Sequence, residues 1–267
     1  MQPAPGSRPL ATLALALGVL AAVGLASGCA KEASEQTFTL DAPVVMEPGG
    51  PKGPAVDVEN FRGRVTLRVD AEADAVTVVA TTEADGGIED EELPAVADAV
   101  VVTAEAEERG GLPVIVVRST SARAEADHRV DIEIRMPECS GVRIRNSGGV
   151  VKVVGVAGAV QVDNTDGPIE VRTQHVRGAP LALTTTAGEV RCLVPPGSKG
   201  DITLESDDGK VAFDGPGVTG IRKMKGTPGR FAAVIDGADN PVLLRTGSGF
   251  VLFRVVENPE TYTVTWR

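Results

Sequence analysis

Two histidines, three cysteines and a few carboxylate clusters are the residues here whose types and spacing could do chemistry. His128 and His175 are the only imidazoles, and neither has a second ligand at the paired spacing of a metal site. Glu89-Asp90-Glu91-Glu92 gathers four carboxylates, which invites calcium. Calcium loops alternate their ligands with other residues and turn sharply on glycine, so a run of consecutive acids reads instead as an exposed, solvated loop over 83–93. Asp207-Asp208 beside Lys210 pairs acids with a base, yet two aspartates before a glycine are ordinary turn chemistry. Thr246-Gly247-Ser248-Gly249 is glycine-rich, but no helix follows to complete a phosphate cradle. Nucleophile-elbow, Walker-type and dinucleotide patterns are absent from the sequence. No catalytic residue, metal ligand or cofactor-binding residue is expected, and the chain reads as a non-enzyme.

The elements that hold these residues follow a repeat. Glycines at 149, 167, 188, 209, 229 and 249 recur every 18 to 21 residues. Three residues before them stand Asn146, Asn164, Thr185, Ser206, Gly226 and Thr246. An Asn, Ser or Thr side chain there can bond the backbone two residues on, and the glycine supplies a positive φ without steric cost. Apolar residues alternate on both sides of each turn, as in Val160/Val162 and Ile169/Val171. Period-two alternation means short strands with one buried face. Only Arg222, paired with Met224 before Gly229, breaks the apolar rule. Val56 to Leu67 repeats the pattern upstream around Gly63, and further strands are expected at 76–80, 100–105, 114–118 and 130–134.

Such a repeat cannot bury its apolar face alone, whereas stacked copies can. The expected fold is all-β: a β-solenoid, parallel β-helix-like, of about twenty-residue two-strand rungs, with a β-sandwich as the alternative. Stacking in chain order aligns outward charges. Lys152, Glu170 and Arg191 share a column, Arg145 meets Asp163, Glu189 meets Lys210, and Glu205 meets Lys225. Opposite signs on neighbouring strands are favourable. Cys192 falls in an inward slot and Cys139 precedes the first of these rungs. Strands about 4.7–4.9 Å apart put the two thiols beyond bridging distance, so both are expected free. Leu243, Phe250 and Leu252 point outward on what would be the terminal rung. They need cover, and an alternating strand 261–266 with Tyr262 and Trp266 is the expected cap.

Ahead of the repeat, Leu10 to Gly24 is an apolar run too short to span a bilayer comfortably, preceded by Arg8 and ended by small residues. Ala26-Ser27-Gly28-Cys29 resembles the lipobox of bacterial lipoproteins, with Ala26 where that motif prefers Leu. The resemblance implies lipidation at Cys29 and export to the outer face of a bacterial membrane. A short polar tether is expected over 30–37.

His128-Arg129-Val130-Asp131-Ile132-Glu133-Ile134-Arg135-Met136-Pro137, followed by the glycine-turn repeats and preceded by the Asn60-x-x-Gly63 copy, resembles the bacterial putative-adhesin family of exported β-solenoid domains. The resemblance covers about 56–253 and brings no catalytic residues. It implies a structural or adhesin-like binding module. The alternatives are a lyase-like polysaccharide-active β-helix enzyme, for which Asp207, Asp208 and Lys210 are the nearest candidates, and an accessory of envelope stress signalling. The expected organisation is a signal peptide (1–28), a lipid-anchored tether and entry loop (29–55), an N-terminal β part with the acidic loop (56–135), and regular rungs with a C-terminal cap (136–267). A net charge of −11 disfavours nucleic acid and anionic lipid head groups as direct partners. The expected partners are the membrane, through the anchor, and an envelope protein or glycan.

Overall fold

The computed structural model describes residues 31–40, 53–85, 87–123, 127–175, 178–215, 222–223, 228–237 and 239–262. Cys29, the lipobox-like motif, Met224, Lys225 and Trp266 lie outside them. The strands are β1 (Lys31–Leu40), β2 (Ala55–Asn60), β3 (Val65–Val69), β4 (Val76–Ala84), β5 (Val100–Arg109), β6 (Leu112–Ser121), β7 (His128–Met136), β8 (Gly141–Asn146), β9 (Val151–Val154), β10 (Ala159–Asp166), β11 (Ile169–Arg172), β12 (Leu181–Ala187), β13 (Val190–Val194), β14 (Gly200–Ser206), β15 (Val211–Asp214), β16 (Arg222–Lys223), β17 (Arg230–Ile235), β18 (Pro241–Ser248) and β19 (Val251–Val255). One helix, α1 (Leu93–Ala99), precedes β5.

The protein is all-β in architecture, with two large mixed sheets that do not close on one another. Sheet A has nine strands in the order β1-β4-β7-β3-β9-β11-β13-β19-β15. Sheet B has ten, in the order β16-β17-β14-β18-β12-β10-β8-β2-β6-β5. Each glycine turn passes the chain from sheet B to sheet A, so β2/β3, β8/β9, β10/β11, β12/β13, β18/β19 and β14/β15 are paired rungs. Neighbouring rungs are parallel and in register. Their alternating β-branched and leucine side chains meet in one core between the sheets. One inward column of sheet A runs Leu67, Val153, Val171, Cys192, Phe253, Phe213. The small Cys192 side chain lies beside the large Phe253 in that column.

The residues three before the turn glycines form a buried polar ladder. Asn146 Nδ2 donates to Gly148 O (2.9 Å) in its own turn and to Gly63 O (3.1 Å) in the neighbouring one. Asn164 Nδ2 does the same with Asp166 O (3.2 Å) and Gly149 O (2.9 Å). Thr185 Oγ1 donates to Ala187 O and Gly167 O, and Thr246 Oγ1 to Ser248 O and Gly188 O. Ser206 Oγ completes the series on Gly249 O (2.8 Å). Turn carbonyls that would be buried without partners are thereby satisfied. The glycines are needed for a second reason. Gly167 has φ +114°, and a Cβ there would stand 2.3 Å from Gly149 O.

The ladder also gives the stacking order, which departs from the chain order. Rung β18/β19 lies between β12/β13 and β14/β15. Glu189 therefore neighbours Phe250 rather than Lys210, since Val190 pairs with Val251. Glu205 pairs with Arg245 and Arg230, and its expected partner Lys225 lies outside the described residues. The Lys152–Glu170–Arg191 and Arg145–Asp163 columns stand in register as expected. The segment around Gly229 is no rung: β17 runs antiparallel to β14, and β16 antiparallel to β17. Phe231 on β17 stacks on Phe213 (5.2 Å between centroids), and Phe213 on Phe253 (5.8 Å), which plugs this end of the core.

The opposite end differs from expectation in two places. A tether was expected over 30–37; Lys31–Leu40 instead forms β1, the edge of sheet A, antiparallel to β4. The acidic stretch becomes a 3-10 turn (Asp90–Glu92) running into α1. Pro94 sits in the first helical turn, where a missing N–H costs nothing, and Val96 is fully buried. A seven-residue helix is stable only through packing; α1 packs on β1, β4 and β5, bridging both sheets.

Candidate functional site

His128 is fully buried at the start of β7. Its Nε2 shares a 2.6 Å hydrogen bond with Ser121 Oγ of β6, tying sheet A to sheet B, and its ring leans on Phe61 at 5.3 Å. Burial holds the imidazole below its usual range, and the nearby Arg123 adds to the effect. The arrangement is a structural latch: Nδ1 is buried and has no acid behind it among the described residues, so the orienting third group of a nucleophilic triad is missing. His175 is exposed after β11. Cys139 and Cys192 are both buried and neither forms a disulfide, as the rung count requires. Cys139 Sγ donates to Gly141 O at 3.3 Å, and burial pushes the thiol up to about 12.

No carboxylate group converges with other ligands. Among the described residues no cluster of three His, Cys, Asp or Glu side chains could hold a metal ion. Glu89 to Glu92 point into solvent. Asp207 and Asp208 occupy a rung turn, where their backbone N–H groups bond Thr246 O and Gly247 O. Thr246-Gly247-Ser248-Gly249 is likewise a rung turn.

What the fold does build is two broad outer faces, and they are treated differently. On sheet A the segment after β19 lies across the middle strands. Arg172 Nη1 of β11 donates to Tyr262 O (2.7 Å), and Arg254 Nη1 of β19 to Tyr262 Oη (3.0 Å), with the Arg254 guanidinium 5.5 Å from the Tyr262 ring. The Gln174 N–H donates to Glu260 Oε1 at 2.9 Å. Outward-pointing Glu170, Arg191, Leu193 and Leu252 are buried. The segment up to Tyr262 lies on this face, but the expected capping strand 261–266 falls mostly outside the described residues, Thr261 and Tyr262 are not in a strand, and Leu243 stands on sheet B, away from it; Leu243 and Leu252 belong to an interior rung.

Among the described residues nothing covers the outer face of sheet B. One row across it reads Arg143, Gln161, Ala182, Leu243, Thr203 and the next reads Arg145, Asp163, Thr184, Arg245, Glu205. Arg145 and Arg118 both pair with Glu59, and Arg245 lies 3.8 Å from Glu205. Arg143 is exposed and has no ion pair among the described residues. At the strand starts a shallow groove of about 580 Å³ crosses the rungs, with Ala55, Gly141, Ala159, Pro180, Pro241 and Leu243 along it. Arg109 at the tip of the β5–β6 hairpin bends over its end to Asp57 (2.7 Å). The outcome is a rigid, mixed, nearly flat surface with one apolar furrow. The furrow is lined by slot residues such as Val142, Val160 and Leu181 together with small residues at the strand starts, and sequence reasoning missed it because only the stacking order brings these starts into one line.

No family model and no curated protein matches the chain. Among solved structures, a putative cell adhesion protein from Clostridium sporogenes is similar over 85% of this chain and 100% of its own, at 11% identity and a TM-score of 0.57. A putative adhesin from Parabacteroides merdae is matched over 84% of this chain and 94% of its own, at 9% identity and a TM-score of 0.28. The Clostridium likeness is one of fold. No described helix is long and apolar enough to cross a membrane.

Proposed function

We propose that this is a non-catalytic, adhesin-like binding module of the bacterial envelope, exported and held on the outer face of a membrane through lipid on Cys29. In this reading the paired rungs are a solenoid-like scaffold, and their product is the open outer face of sheet B. That face is the observation that carries the reading. It is exposed and backed by in-register backbone and a filled core, whereas the outer face of sheet A is covered from β11 to β19 by the chain's own C-terminal segment. A rigid surface loses little conformational freedom on binding, which favours recognition of an extended protein or glycan. The mixed rows of charge suit specificity more than tight attraction. The fold likeness to a cell adhesion protein supports the reading without establishing it.

The test is a crosslinking pull-down from intact envelopes with the wild type, an Arg143→Glu/Leu243→Glu variant of sheet B, and an Arg68→Glu variant of sheet A as control. The sheet B variant should lose its captured partner with circular dichroism unchanged, while the control keeps it. Retention by the sheet B variant would overturn the assignment. Cys29→Ala should separately release the protein from the membrane fraction or leave it unprocessed.

A further inference from the structure

Strand β1 determines where a lipid on Cys29 would hold the molecule. It starts at Lys31, and two residues from Cys29 span at most about 7 Å. Lys31 pairs with Ala84 of β4, and Ala84 with His128 of β7. Val65, which follows the Gly63 turn, meets β7 further along, at Ile132. The chain therefore enters sheet A at the glycine-turn edge, in the corner this edge shares with the β1/β5 end of the stack. Because β1 pairs with β4 from Lys31 to Leu40, the sheet itself begins where a tether would run.

Two surfaces meet at that corner, and they differ in charge. The stack end, where α1 packs on β1 and β5, is acidic. Glu89, Asp90, Glu91 and Glu92 are exposed on the run into α1, and Glu105 and Glu108 are exposed on the edge strand β5. The turn edge near Lys31 is close to balanced. Arg62 and Arg129 are ion-paired with Glu83, Asp85 and Asp131, and the exposed Arg64 adds a further positive charge. The next turn adds the exposed apolar Val150. Anionic head groups repel the first surface within a Debye length and accept the second.

We infer that the protein stands upright on phospholipid, with the turn edge nearest Cys29 against the head groups and the strands directed away from the bilayer. This orientation rests on the Cys29 anchor proposed above and adds what such an anchor would impose on the recognition face. Strand β10 has eight residues and spans roughly 26 Å, so the furrow at the strand starts lies about that far beyond the turn edge. The rows of outward residues on sheet B then run parallel to the membrane. The row of Arg143, Gln161, Ala182 and Leu243, which lines the furrow, is the outer one, and a partner arriving from outside meets it first.

The experiment places p-azidophenylalanine at position 147 (turn edge), 108 (stack end) or 157 (opposite edge) and couples a fluorophore to it; Ser147, Glu108 and Ala157 are all exposed. The purified full chain is reconstituted in phosphatidylethanolamine–phosphatidylglycerol vesicles doped with a head-group nitroxide lipid. The expected result is loss of most of the fluorescence at 147 and none at 108 or 157. Quenching at 108 or 157 that equals or exceeds quenching at 147, or quenching at none of the three in the vesicle-bound chain, would overturn the orientation. Detergent phase partition of the wild type tests the anchor separately. If Cys29 carries no lipid, the anchor reading fails and the orientation is still measured. The free Cys29 thiol is then coupled to a maleimide lipid, Cys139 and Cys192 being buried, and the same three reporters decide.

Discussion

The polar ladder predicts an ordering of stabilities at Asn164 that apolar packing alone would not. Asn164 is 4% exposed, and its Nδ2 reaches Gly149 O, Asp166 O and Gly167 O while its Oδ1 accepts from Asn146 Nδ2 at 3.1 Å. In Asn164→Ala these four contacts go, but their consequences differ. Asp166 O still accepts the Gly149 N–H (2.7 Å), and Gly167 O still accepts Thr185 Oγ1 (3.1 Å). Gly149 O alone loses its one hydrogen bond among the described residues. One orphaned buried carbonyl costs about 1–3 kcal/mol, and the bonds lost at groups that keep another partner add roughly 1 kcal/mol, so Asn164→Ala should cost about 3 kcal/mol. In a domain of this size that lowers Tm by roughly 6–12 °C.

Thr185 in the next rung shows how a hydroxyl fills the same post, reaching its own turn carbonyl and the neighbouring glycine carbonyl at once. Asn164→Thr should therefore restore the donors to Gly149 O and Asp166 O and lose the links to Asn146 and to Gly167 O, which Thr185 still serves, a cost of about 1 kcal/mol. Asn164→Leu keeps the branching and the number of side-chain heavy atoms of asparagine without its polar groups, so it tests packing. It should be at least as damaging as alanine. Thermal and urea unfolding of the three variants decide the matter. If leucine is milder than threonine, or alanine and threonine melt together, the ladder is not what stabilises the turns.

Gly167→Ala should destabilise far more than Gly110→Ala, because the first Cβ meets Gly149 O at φ +114° while the second, at φ +62°, meets nothing within 4 Å and costs only about 1–2 kcal/mol; urea midpoints separate them. For His128, the unfolded imidazole takes up a proton near pH 6.5 and the buried one only at lower pH, so stability is full above 6.5 and falls as pH drops below it. Between pH 7 and 5 the wild type should lose more stability than His128→Gln, and equal losses would remove His128 from the account. Deleting 259–267 takes away Glu260 and Tyr262 and should expose Leu252, seen as dye binding and a lower Tm; a truncated chain that melts like the wild type and binds no dye would refute the strap.

Much of the fold was legible because its signal is periodic. The alternating slots, the glycines and the Asn/Thr/Ser posts each recur at one spacing, and all three agree with parallel in-register rungs. The order of the rungs was not legible from the apolar slots, since every rung offers its neighbours the same apolar columns. The informative residues were the ones facing out. Leu243 and Leu252 are apolar on the outer side, whereas Thr203, Glu205, Ala212 and Asp214 are polar or small. Read for cost, this says that 242–253 belongs inside the stack and 200–214 at its end, the order the structure has. Arg222 carried a similar message: a charged residue in a core slot marks a segment that is not a rung. Strand β1 and helix α1 were missed for another reason. Their sequences are polar or short, and tertiary contact at a sheet edge, rather than local pattern, makes them regular.

The same logic bears on where recognition can sit. A stack of near-identical rungs spends its inward residues on the core and its turn residues on the ladder, so both sets are committed. Only outward positions and the links between sheets are free to vary. On sheet A the outward positions are partly withdrawn by the strap: Arg172 and Arg254 are bound to Tyr262, and Glu170 and Arg191 are buried beneath. Among the described residues sheet B has no such cover across its central rungs, and its β17 edge is closed by an antiparallel strand that ends the stack. A partner meeting the open face therefore reads a sequence of outward residues in the spatial order of the rungs. Arg143, Gln161, Ala182, Leu243 and Thr203 form one such line. The insertion of β18 places Leu243 inside that line instead of at its end. A variant that exchanges the outward pair of β14 with that of β18 (Thr203→Leu with Leu243→Thr, and Glu205→Arg with Arg245→Glu) keeps composition and moves the apolar point by one rung, about 4.8 Å. A partner that recognises the line should be lost, while one held by net charge alone should be kept.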